Sequence, residues 1–229
     1  MKIGIIGAGN IGSALAHRFR AAGHDVAIAN SRGPQTLTQL AKETGARAVP
    51  VEDAVRGNDI VVVAIPEGRV KDLPPKLFAG APKELIVIDT GNYYPQQRDG
   101  RIDGIEEGLP ESRWVEQEIG HPVVKAFNTI IAPSLLAEGK PAGAPGRIAV
   151  PVAADDARAK AVVMRLIDEI GFDPIDDGTI DESWRQQPGS PVYIKKFGAD
   201  ATRRALREAR KTRDPAWRAT SGSPSAQAR

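Results

Sequence analysis

Six residues near the start of the chain, Gly7-Ala8-Gly9-Asn10-Ile11-Gly12, have the types and spacing to hold a diphosphate. In such a run the first glycine allows a tight turn, the second lets backbone approach a pyrophosphate, and the third permits close helix-to-strand packing. Amides opening the next helix then point at the phosphates, where the helix dipole favours negative charge. An ordinary glycine turn is the competing reading, and context decides between the two. An apolar strand, Lys2 to Ile6, leads in, and a helical pattern from Ile11 to Ala22, closed by Gly23, leads out. At roughly the spacing where a site preferring NAD places Asp or Glu for the ribose 2′-OH, this chain has Asn30, then Ser31 and Arg32. A carboxylate would repel a 2′-phosphate, whereas all three of these side chains carry donors for one. NADP(H) is the expected cofactor. The bland alternative makes Ser31 the cap of a helix starting near Pro34 and Arg32 a solvated charge.

Further candidates stand where later strands end, because ligands of an open doubly wound sheet lie beyond the carboxyl ends of its strands. Ala64, Ile65 and Pro66 should pass near the ribose and nicotinamide. The loop from Asp89 to Pro95 brings Tyr93 and Tyr94, and Lys125 to Thr129 brings Asn128. Asn128 is read as functional and as a cofactor contact, since a polar side chain there has few other partners. Lys125 is either a general acid or, beside Phe127, a loop brace or the partner of a carboxylate. The segment Trp184 to Tyr193 is too polar and proline-rich for a helix, and Arg185 beside Trp184 suits an anionic planar substrate. Asn128, Arg185, Tyr93 and Lys125 are therefore the substrate-positioning candidates, with no dedicated catalytic residue among them.

The elements that must position these residues alternate between strand and helix, the signature of a parallel sheet covered on both faces. Strands are expected at Lys2 to Ile6, Asp25 to Asn30, Ala46 to Pro50, Asp59 to Ile65, Leu85 to Asp89, Val123 to Phe127 and Arg147 to Val152. The runs IVVVAI and LIVID are nearly all apolar, as central strands buried on both faces should be. Helices are expected at Pro34 to Thr44, Gly68 to Phe78, Glu111 to Ile119, Ile130 to Glu138 and Asp155 to Ile170, with a short turn at Glu52 to Arg56. The fold class is α/β, a Rossmann-type doubly wound, mostly parallel sheet with a small C-terminal α/β extension. Residues 1–153 form the NADP-binding part, 154–194 a small C-terminal part, and 195–229 a basic helix and disordered tail.

With 229 residues, 41% of them hydrophobic, the chain can bury one substantial core and a small appendage. It has no cysteine, hence no disulfide framework or thiolate, and its three histidines lack metal-ligand spacing, so no metal is expected. No signal peptide or membrane span is visible, and a cytoplasmic protein acting on a small molecule is the default. The sequence leaves a homodimer open. Charge is segregated: residues 195–229 carry ten Lys or Arg against three Asp or Glu, while residues 1–194 are net negative. Within that tail Ala199 to Thr212 can form a helix, and the run from Thr220 onward reads as disordered. A solvated helix with a loose end is the expectation. Nucleic-acid binding is a minor alternative, since no aromatics interleave the cations.

KIGIIGAGNIG, NSRGP after the second strand, AIP after the fourth and KAFNT after the sixth together resemble the NADP oxidoreductases that depend on the deazaflavin coenzyme F420, over about residues 1–155. The resemblance implies NADP(H) held by Gly7, Gly9, Asn10, Ile11, Ser31 and Arg32. It also implies direct hydride transfer between nicotinamide and a second ring, a deazaflavin or flavin co-substrate, without a dedicated acid or base. The polar WRQQPGSPVY segment and the basic tail depart from that family's small-residue, apolar ending. Two other functions stay open: a dehydrogenase of a small hydroxyacid or imine, and a non-catalytic NADP(H)-sensing module acting through the tail.

Overall fold

The computed structural model describes residues 1–224. Strand β1 (Lys2–Ile6) leads into helix α1 (Asn10–Ala21), which is followed by β2 (Asp25–Ala29), α2 (Thr38–Thr44), β3 (Arg47–Ala48), α3 (Val51–Val55) and β4 (Ile60–Val63). After β4 come β5 (Ile86–Asp89), α4 (Asp103–Glu106), α5 (Glu111–Ile119), β6 (Val123–Lys125) and α6 (Ala132–Ala137). Strands β1 to β6 form one sheet in the order β3-β2-β1-β4-β5-β6, and every pairing is parallel. This is the Rossmann order, and the direction of winding reverses between β1 and β4, where a crevice opens beyond the strand ends. The apolar runs do what burial on two faces requires: every residue of β4 and β5 is buried. One apolar layer gathers Ile3, Ile5, Leu15, Phe19 and Val62, and the other Val61, Val63, Val87, Trp114 and Val115.

Strand β7 (Ala149–Val152), helix α7 (Ala157–Glu169) and strand β8 (Asp173–Asp176) then form a separate parallel pair with its own crossover. The sequence places β7 in the main sheet, but only an isolated antiparallel bridge, Lys125 to Ala153, ties it there. Strand β8 escapes a reading of hydrophobic pattern because Asp-Pro-Ile-Asp is half-exposed and lacks an apolar run. Helix α7 is capped by the side chain of Asp156, which accepts from the amides of Arg158 and Ala159, so the helix begins at Ala157, two residues later than expected. Its Val163, Leu166 and Ile167 join the same core as Ile3 and Leu15, so the extension leans on the nucleotide half rather than standing apart.

Three expectations are corrected. The helix expected from Gly68 to Phe78 is a short 3-10 turn over Glu67–Asp72, because Pro74 and Pro75 cannot continue it. The segment expected to be non-helical includes the end of a 3-10 helix, Ile180–Gln186, nucleated by a reciprocal pair of hydrogen bonds between Thr179 and Glu182. The tail is not loose. Helix α8 (Ala199–Glu208) is shorter than expected and buries Thr202, Ala205 and Leu206, the last two packing with Ala149 and Ile175. The chain after it folds back against the loops beyond β5, and Thr220 and Ser223 close a hydrogen-bonded turn. Of the stretch expected to be disordered, residues 225–229 lie outside the described residues. Among the described residues no helix is long and apolar enough to cross a membrane.

Candidate functional site

The glycine loop is shaped by three different constraints. Gly7 has φ +112°, a backbone region that disfavours side chains, and a Cβ there would collide with the carbonyl of Ala64. A Cβ on Gly12 would strike the carbonyl of Gly7, which is the close helix-to-strand approach expected of the third glycine. A Cβ on Gly9 would meet nothing within 4 Å. The protein itself therefore has no steric need of glycine at position 9, and the space in front of it is free for a ligand's phosphates. Gly9 caps α1 without a side-chain bond, and among the described residues the amides of Asn10 and Ile11 meet no acceptor. Such unpaired amides at a helix start, with no acidic residue in the first turn, fit a diphosphate in charge and in hydrogen bonding.

At the end of β2, Asn30 is half-buried and committed within its own loop. Its Oδ1 accepts from the amide of Arg32 at 3.0 Å, and its Nδ2 donates to Thr36 at 2.9 Å. It therefore shapes the turn, leaving Ser31 and Arg32 as the exposed donors. Gly33, not Ser31, precedes the 3-10 turn at Pro34, and that turn has no side-chain cap, so Ser31 has no capping duty. The Arg32 side chain makes no ion pair among the described residues. Across the switch point, Ala64, Ile65 and Pro66 are partly exposed beyond β4, and Ile65 packs beside Gly7.

Asn128 holds the far wall together. It is 4% exposed, and its Nδ2 donates to Asn92 Oδ1 at 3.1 Å and to the carbonyl of Gln186 at 2.7 Å, while its own carbonyl accepts from Asn92 Nδ2 at 3.0 Å. One amide thus clips the loops after β5 and β6 to the 3-10 helix of the C-terminal part. Its Oδ1 is a buried acceptor with no partner. The residue before it, Phe127, is fully buried with φ +66°, an uncommon backbone state for a bulky side chain, which turns the chain at the end of β6.

Behind this wall lies a buried charge network, and it claims two substrate-positioning candidates. Lys125 is fully buried, donating to Asp89 at 2.9 Å and to the carbonyl of Gly91 at 2.6 Å. Burial alone would lower its pKa, but the surrounding carboxylates of Asp89, Glu67 and Glu111 outweigh it and hold the ammonium charged. Asp89 also takes hydrogen bonds from Ser112 Oγ and the amide of Gly91, so Lys125 braces a loop through a carboxylate. Tyr93 is buried in the apolar layer against α5. Its hydroxyl donates to Glu106 at 3.1 Å and accepts from the amide of Ile102 at 3.0 Å, while its pKa is pushed up chiefly by burial. Glu67, directly after Pro66, is fully buried with neither carboxyl oxygen hydrogen-bonded. Burial and then Asp89 drive its pKa well above the usual carboxylate range.

The fourth candidate, Arg185, pairs with Glu182 at 2.8 Å, stands 3.9 Å from Asp177, and lies over the ring of Trp184. Its charge is spent inside the C-terminal part. Asp177, accepting from Gln186 Nε2, has its pKa pushed up to about 7 by burial, against the opposing pull of Arg185. Sequence reasoning missed the partner that the tail supplies. Arg213 reaches back to fully buried Glu111 at 2.7 Å, donates to Gln187 at 3.0 Å and lies over the ring of Tyr93. Trp217 sits edge-on to Tyr193 and tilted against Tyr94, whose hydroxyl meets that of Tyr193. Only their position in a basic, aromatic-poor tail marked these residues, and ten cations there look alike.

Residues 2–93 match the family model described as NADP oxidoreductase, coenzyme F420-dependent. The hypothetical protein SMa0349 from Sinorhizobium meliloti has a crystal structure 33% identical in sequence, with a TM-score of 0.75 over 87% of this chain and 97% of that one. A second crystal structure, provisionally assigned as an F420-dependent NADP-reductase from Arthrobacter sp. FB24, is 26% identical with a TM-score of 0.63, covering 79% of this chain and 86% of that one. Protein YjhV of Escherichia coli (strain K12) is 46% identical over 71 residues, which is 31% of this chain and 52% of YjhV. The chain spans about half the length of the curated relatives it matches.

Proposed function

We propose that the chain, whose residues 2–93 match the family model described as NADP oxidoreductase, coenzyme F420-dependent, is an NADP(H)-dependent oxidoreductase moving hydride between the nicotinamide and a planar ring acceptor. The acceptor is a deazaflavin such as coenzyme F420, or a flavin. The observation that carries the reading is Gly9, a glycine the protein does not need sterically, set before helix amides that have no other acceptor. The residues that would hold NADP(H) are Gly7, Gly9, Asn10, Ile11 and Gly12 at the diphosphate, and Ser31 and Arg32 at the 2′-phosphate. Asn30 sets the turn that presents them. Ala64, Ile65, Pro66 and Asn128 would line the nicotinamide end. When bound, the cofactor supplies the hydride chemistry, and the protein supplies position and exclusion of water.

This chain's own residues then divide the work. Asn128 fixes the distance between the two loops of the far wall and offers its free Oδ1 to an amide donor. Lys125 with Asp89 stiffens the loop of Gly91 and Asn92 without exposing a proton, which suits transfer between two rings better than reduction of a carbonyl that needs an acid. The setting we propose is cytoplasmic, with a small-molecule co-substrate. The test is turnover of NADPH with coenzyme F420, FMN and a panel of small ketoacids and imines. Ring acceptors should be used and the carbonyl panel not. Turnover of a small carbonyl with no use of either ring would move the assignment to a dehydrogenase, and no turnover with any acceptor, despite tight NADPH binding, would move it to a sensing module.

A further inference from the structure

The folded-back tail builds a second cavity, of about 950 Å³, against the loop before α5 and the segment from Trp184 to Pro191. None of Gly7 to Gly12, Ala64 to Pro66 or Asn128 lines it. Its wall carries four cations, Arg210, Lys211, Arg213 and Arg218, against two carboxylates, Glu208 and Asp214. Asp214 is already engaged, accepting from the amide of Ala216. Arg210, Lys211 and the side chain of Arg218 have no partner among the described residues, so the excess of positive charge is not neutralised locally.

Three residues of the same wall carry buried polar atoms with nothing to bond. They are Arg213 Nη1, Gln187 Nε2 and Ser190 Oγ. Arg213 and Gln187 are joined, Arg213 Nη2 donating to Gln187 Oε1, so two of the idle groups belong to one rigid unit anchored on Glu111. A buried donor left unmet forfeits its bond to water, and three along one cavity call for a shared acceptor. All three can donate, and a carboxylate or phosphate accepts several such bonds at once. Most of the rest of the lining is apolar, with Trp184, Leu109, Ile105 and four prolines among it.

We propose that this cavity is a binding site for a small organic oxyanion with an apolar body, held by Arg213, Gln187 and Ser190 with Arg210 and Lys211 at its mouth. The proposal goes beyond the hydride-transfer reading and does not depend on it, since its readout is binding. The experiment is calorimetric titration of the full chain, saturated with NADP⁺, with 1-naphthoate, inorganic phosphate and the neutral analogue 1-naphthylmethanol. Naphthoate should bind at least about ten-fold more tightly than the neutral analogue, and Arg210→Gln with Lys211→Gln should weaken it about ten-fold with NADP⁺ affinity unchanged. Ser190→Ala should weaken it in a chain that melts as the parent does. Phosphate competing with naphthoate would identify a phosphate ester as an equal source of the anion, and phosphate without effect would leave carboxylates as the class. Equal binding of the neutral analogue, no loss in the double variant, or no heat up to millimolar naphthoate would overturn the proposal.

Discussion

The two halves of the molecule prepare for ligands by opposite means. The nucleotide half presents backbone: a glycine with open space before it, amides without acceptors, and two exposed side chains at the end of β2. The half beyond β5 works through side chains and is held by long-range bonds between them, with Glu111 to Arg213 spanning 102 positions and Tyr94 to Tyr193 spanning 99. A site made of backbone tolerates no side chain at one point. A site made of buried charges tolerates no unpaired partner.

That contrast ranks the expected effects of substitution. Gly9→Val should abolish nucleotide binding while the fold stays cooperative, because the added side chain enters free space where the phosphates belong. Fluorescence titration with NADPH reads the loss, and a variant that binds as the parent does would break the contrast on its first side. Lys125→Met strips buried Asp89 of its one cation partner among the described residues and should cost about 3–5 kcal/mol, lowering Tm by roughly ten degrees. Adding Asp89→Asn should restore part of it. In the fraction that folds, the pH profile of turnover should keep both limbs, as expected of a lysine that braces Asp89 and the Gly91 carbonyl.

A smaller effect comes from Asp177. Its folded pKa of about 7 lies above the ordinary value of 3.8, so the folded protein holds the proton more tightly than the unfolded chain does. The resulting stability is full below the ordinary value and is lost as pH rises through the folded one, so this residue makes stability fall between about pH 4 and 7. Glu67, shifted the same way, adds to that slope. Asp177→Asn should flatten it, raising Tm by a few degrees at pH 8 relative to the parent. A parallel shift at every pH would mean that burial of this carboxyl is not the cause.

The same contrast explains what could be read from the sequence. The glycine loop, β4 and β5 follow from local pattern, because two-sided burial forces continuous apolar runs and phosphate approach forces glycine. Strand β8 was hidden because a half-exposed edge strand needs no apolar run, and the expected helix at Gly68 failed on Pro74 and Pro75, which were in plain view. Tyr93, Lys125 and Arg185 stand at positions that suggested a crevice, but their side chains turn inward to Glu106, Asp89 and Glu182. Tyr93 and Lys125 turn to partners 13 and 36 positions away, which no local pattern carries, whereas Arg185 is claimed by a carboxylate only three positions before it.

The central claim is a site for NADP(H) that discriminates through the exposed pair after β2. Calorimetric titration of the parent and of Arg32→Ala with NADPH and NADH tests it most directly. The parent should prefer NADPH, and Arg32→Ala should lose roughly ten- to a hundred-fold in NADPH affinity with little change for NADH, as expected for one charge-assisted bond worth about 1.5–3 kcal/mol. Equal affinity of the parent for both cofactors would contradict the account.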